Sequence, residues 1–118
     1  MSRRTDASSP SGGIQTATGT YTGDGNATQG IAGVGFQPRF IIIYPHEQLA
    51  TGNSPISLRN DQDGLNALLY WSGGRWFRYQ IDEIISLDVD GFTVGDGSTW
   101  VQNSSNELNM VYSYACFR

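Results

Sequence analysis

The chain has no lysine, one cysteine, one histidine and three glutamates among its 118 residues. Each shortage removes a class of chemistry. A single cysteine, Cys116, excludes an intrachain disulfide. It lies between Ala115 and Phe117 in an apolar stretch, where it is expected as a small buried hydrophobe. Zinc sites need clustered Cys and His, and these are absent. Nucleophilic catalysis needs a nucleophile, a base and an orienting group. The only histidine, His46, has no Gly-x-Ser-x-Gly elbow to serve, and a Cys116–His46 dyad would require a thiolate in an apolar strand. Gly-Asp-Gly occurs at 23–25 and 95–97, but neither precedes a helix with a lysine, so no phosphate-cradling loop is expected.

Other absences concern partners and compartment. Seven arginines against 11 acids give a net charge of −4. An acidic chain with no basic run is a poor partner for nucleic acid or an anionic membrane. No apolar run approaches the roughly 20 residues that span a bilayer. The opening MSRRTDASSPSGG lacks the apolar core of a secretory signal. No cofactor, no metal and no enzymatic activity are expected.

What is present points to strands. Fifteen glycines and abundant Ser, Thr and Asn suit short strands joined by tight turns. No stretch repeats apolar residues at helical spacing. Residues 1–13 read as a flexible polar arm bearing the only basic pair, Arg3 and Arg4, and suited to lie against a neighbouring subunit. Residues 14–118 read as one antiparallel β-sandwich, jelly-roll-like, of about eight strands. Ile14–Thr22 alternates with a threonine-rich face. Gly23-Asp24-Gly25-Asn26 is a turn, and Thr28–Ile31 is its short return strand. Arg39–Tyr44 is so apolar that it is expected at the centre of its sheet, covered on both faces. Further strands are expected at Ile56–Arg59, Ala67–Trp71, Arg75–Ile81, Ile84–Val89, Phe92–Val94 and Leu108–Phe117. Asp90-Gly91 reads as a two-residue hairpin turn.

Three residue sets carry alternatives. Asp61-x-Asp63-Gly64-x-Asn66 and Asp88-x-Asp90-Gly91 have carboxylates two apart, as calcium loops do, but lack the terminal bidentate Glu. Turn chemistry is the plainer expectation. Asp82 with Glu83, and Glu107, are nominal acids for glycoside hydrolysis, a signal that 11 acids make nearly empty. Tyr70, Trp71, Trp76, Phe77 and Tyr79 flank the turn Ser72-Gly73-Gly74. They suit core or subunit packing across a hairpin. The sharper reading is a sugar-stacking platform of Trp71, Trp76 and the loop residue Trp100.

Four segments in order complete the picture. They are Gly19-Thr20-Tyr21-Thr22-Gly23-Asp24-Gly25, Gly35-Phe36-Gln37-Pro38-Arg39-Phe40-Ile41-Ile42-Ile43, Asp90-Gly91-Phe92-Thr93-Val94-Gly95, and Tyr112-Ser113-Tyr114-Ala115-Cys116-Phe117. The ordered set, spanning 19–117, resembles β-sandwich domains of bacteriophage virion proteins, among them head-decoration and tail-fibre components. Cys116 departs from the Ala-Phe pair that usually closes the last motif. The resemblance implies a homo-oligomeric virion protein, a trimer by preference, contacting partners such as the major capsid protein. It carries no catalytic residue across. A short chain with a polar arm and no shaft fits a capsid decoration or cement protein. A tail-fibre or receptor-binding tip, and a carbohydrate-binding module facing a host glycan, are the alternatives.

Overall fold

A computed structural model describes residues 15–47, 54–80, 84–95 and 105–118, without the side chains of Ser72, Tyr79 and Gln80. Nine strands are described: β1 (Thr16–Thr22), β2 (Thr28–Ile31), β3 (Phe40–Pro45), β4 (Ile56–Asn60), β5 (Leu65–Ser72), β6 (Arg75–Gln80), β7 (Ile84–Asp88), β8 (Gly91–Gly95) and β9 (Val111–Phe117). Every pair is antiparallel. The strands form a six-stranded sheet, β1-β9-β3-β4-β5-β6, and a three-stranded sheet, β2-β8-β7. This is an all-β sandwich. No helix occurs among the described residues, hence none long and apolar enough to cross a membrane. The expected arm with Arg3 and Arg4 lies outside the described residues.

The core sits where the small sheet covers β1, β9 and β3. Tyr21, Tyr112, Ile41, Ile43 and Cys116 from the large sheet meet Phe92, Val94, Ile84 and Leu87 from the small one. Tyr21 stacks on Tyr112 at 5.1 Å between centroids, and Phe92 meets Tyr114 edge-on at the same separation. Such pairs hold ring geometry as well as burying area.

Two polar clamps fix which strand goes where. In the first, Asn106 is fully buried. Its amide donates to Asp24 Oδ1 (2.7 Å) and Asn26 O (3.0 Å) and accepts from Asp24 N (3.1 Å). Tyr21 donates its hydroxyl to Ser105 O at 2.7 Å, and the Ser105 hydroxyl pairs with that of Ser57. Gly23 leaves no room for a methyl group, which would overlap Glu107 O. In the second clamp, the Asp90 carboxylate accepts Gly33 N (3.0 Å) and Gly35 N (2.6 Å), while Asp90 O accepts Val34 N. The Gly23–Asn26 and Asp90-Gly91 motifs therefore bind segments far apart in the chain.

Three expectations are corrected. β2 does not return along β1; it crosses to the small sheet and pairs with β8, because the Gly23–Asn26 segment is held on Asn106 rather than closed as a hairpin. β3 is central, between β9 and β4, but is covered on one face only. Ile41, Ile43 and Pro45 are buried, Phe40 and Ile42 are half-buried, and Tyr44 is 48% exposed, because the three-stranded sheet packs on one side alone. Finally, the β7–β8 hairpin turns at Val89-Asp90, and Gly91 is its first paired residue, opposite Asp88. Gly91 is required there because a methyl would overlap Ile31 O of β2.

Candidate functional site

Residues facing one another in an antiparallel ladder share a sheet face. The registers therefore define the outer face of the six-stranded sheet. It runs from Thr16, Thr18, Thr20 and Thr22, through Phe117, Ala115, Phe40, Ile42 and Tyr44, across Ile56 and Leu58 to Leu69, Trp71, Trp76 and Arg78. Among the described strand residues of this face, Arg78 alone carries a full charge. Trp71 is 57% and Trp76 58% exposed. Their rings meet edge-to-face, 5.5 Å apart at 75°. Exposed apolar patches, where they are large, mark interaction sites.

The hairpin aromatics lie on both faces of the sheet. Strand periodicity divides them: Trp71 and Trp76 project outward, while Tyr70 and Phe77 stack on the opposite face at 5.3 Å and 16°. The guanidinium of Arg75 lies 4.8 Å from the Phe77 centroid, a cation–π contact. Tyr70 thus lies on the opposite face from Trp71 and Trp76. Trp100 and the Tyr79 side chain lie outside the described residues.

The carboxylates act as local hydrogen-bond acceptors. Asp63 accepts Leu65 N at 2.9 Å, and Asp88 accepts the hydroxyls of Ser86 and Thr93, each at 2.7 Å. Asp61 approaches Arg59 at 3.9 Å. Among the described residues, no three of His, Cys, Asp and Glu gather as a metal would need. Asp82 and Glu83 lie outside the described residues. His46 Nε2 lies 2.6 Å from Ser113 Oγ, and both are on the outer face. Cys116 is fully buried on the inner face, and burial pushes its thiol up to about 12. The cysteine and histidine are not brought together. The Ser113–His46 pair, which the sequence did not single out, follows from β3–β9 pairing continuing to His46, whose N–H donates to Val111 O. Among the described residues no carboxylate is hydrogen-bonded to that ring.

No family model, no curated protein and no solved structure matches the chain.

The feature the geometry offers is the outer face of the six-stranded sheet. It is broad, nearly uncharged, and tipped by two exposed tryptophans on a hairpin beyond the small sheet's cover. Tryptophan and tyrosine dominate the binding energy of protein interfaces because they bury large area with few rotatable bonds.

Proposed function

We propose that the chain is a structural protein of a bacteriophage particle, a capsid decoration or cement protein that assembles by protein–protein contacts, with itself and with the major capsid protein. The observation that carries this reading is the outer face of the six-stranded sheet, where Tyr44, Trp71 and Trp76 stand exposed beside half-buried Phe40, Ile42 and Leu58. The ordered motifs that resemble phage virion domains support it. Two of them are the clamps that tie β1 to the 105–110 segment and the 33–35 loop to the β7–β8 turn.

The test is binding to particles. Capsids assembled without the chain should take up the purified protein to a fixed, saturating copy number. Uptake by tails alone favours the tail-fibre or receptor-binding tip. No uptake by any virion component sinks the proposal.

A carbohydrate-binding module remains the second reading, favoured by the exposure of Trp71 and Trp76. Their 75° crossing presents a ridge to a sugar ring, not a flat platform. Glycan-array binding that disappears in Trp71→Ala and Trp76→Ala variants with intact folds would favour it over the first.

A further inference from the structure

Among the described residues the two sheets have four edges, and these are unequally guarded. β6 carries Arg75 and Arg78, both exposed. β7 breaks register between Ile84 and Ser86. β2 is four residues long. Charge, bulges and brevity are the devices that keep sheet edges from pairing with other chains. β1 has none of them. It is seven residues long, Thr-Ala-Thr-Gly-Thr-Tyr-Thr, in unbroken register with β9 and without charge or proline.

The backbone phase of β1 is fixed by its two ends. Gly23 N donates to Met110 O, and Arg118 N donates to Gln15 O. With the β1–β9 register, the odd-numbered residues therefore exchange main-chain hydrogen bonds with β9. Thr16, Thr18, Thr20 and Thr22 turn their N–H and C=O groups outward, and all four are exposed.

We propose that β1 pairs antiparallel with β1 of a second copy of this chain, about a two-fold axis at Gly19. Thr16 then opposes Thr22 of the second copy, and Thr18 opposes Thr20 of the second copy. Each outward threonine exchanges both its main-chain hydrogen bonds with another threonine. Centring on Thr18 or Thr20 instead would place a terminal threonine opposite a residue outside the strand. Threonine pairs directly across an antiparallel ladder are favourable. At the axis Gly19 meets Gly19 of the second copy, so no side chain obstructs the close approach of a non-hydrogen-bonded pair. The surface is self-complementary, as a two-fold contact requires. The pairing joins both six-stranded sheets and makes their outer faces continuous. It does not depend on the particle reading, and a three-fold contact would use another surface. An edge contact is small beside the roughly 800 Å² per partner of a stable interface, so the dimer forms reversibly with concentration.

Sedimentation of the whole chain over rising concentration should show a monomer–dimer equilibrium. Amide exchange at Thr18 and Thr20 should slow as dimer forms, with no change along β6. Thr18→Lys/Thr20→Lys places lysines opposite each other across the axis and should weaken association about tenfold. The double glutamate variant should do the same, and an equimolar mixture of the two should restore association. A monomer at every concentration, a trimer alone, or a dimer indifferent to these charges overturns the proposal. So do threonine amides protected at every dilution, which would mean that the chain covers its own edge. If the charged variants fail to fold, exchange in the parent protein decides.

Discussion

Asn106 is fully buried and bonds Asp24 Oδ1, Asp24 N and Asn26 O, so its truncation loses three hydrogen bonds and leaves a cavity in the packing around it. Asn106→Ala should cost about 2–4 kcal/mol in urea unfolding, against a few tenths for a typical exposed Asn. Asp24, on the other side of this clamp, is held below its ordinary carboxylate range. The chief cause is the Asn26 backbone N–H donating to it, followed by the Asn106 amide. A depressed folded pKa contributes stability above the unfolded value, and that contribution is lost as pH falls through the folded one. Stability should therefore decline as pH drops below about 4, and Asp24→Asn should flatten that part of the curve. Equal acid slopes in parent and variant would contradict the assignment. Cys116 belongs to the same scale. With its thiol pushed up to about 12 by burial, it should resist thiol reagents at pH 8 in the folded protein and react at the rate of unfolding. Rapid native labelling would show that the β9 inner face opens locally.

Among the elements, β8 depends on the glycine that starts it. Gly91→Ala drives a methyl into Ile31 O, so either β2 lifts from β8 or the β7–β8 turn shifts. The expected loss is about 2–4 kcal/mol by thermal or urea unfolding, with exchange at Gln29 and Ile31 accelerated beyond the rest. Strand positions were legible because alternation and turn residues are local signals: Gly73-Gly74 sits between β5 and β6 with both glycines at positive φ, as a tight hairpin requires. Pairing was not legible. The partner of β2 is decided by Asn106 and Asp90, residues distant in sequence whose hydrogen bonds no local pattern announces. The one-sided cover of β3 was hidden for a related reason. A continuous apolar run says that both faces avoid water, but not whether this chain or a partner covers the second. The hairpin aromatics were visible as a cluster, and their division between two faces follows from the two-residue period of a strand.

At the scale of the molecule, the question is what the outer face of the larger sheet does. The small sheet packs on one face of β1, β9 and β3, and among the described residues no strand packs on the other face of the larger sheet, where Ala67 is buried and Tyr44, Trp71 and Trp76 are exposed. Trp71 and Trp76 are outside the buried core cluster, are more than half exposed and touch each other. Phe77, by contrast, is half-buried between Tyr70 and Arg75. Stability and contact should therefore separate by mutation. Trp71→Ala/Trp76→Ala should unfold within about 1 kcal/mol of the parent, the loss being their mutual ring contact. It should nevertheless bind particles at least tenfold more weakly, since exposed tryptophans are typical interface anchors. Phe77→Ala should lower the melting temperature and disorder the hairpin, weakening particle binding only as far as the tryptophans lose their support. Particle binding that survives loss of both tryptophans would remove the hairpin from the contact. The search would then move inward along the same face, to Tyr44 and the half-buried Phe40 and Ile42 of β3.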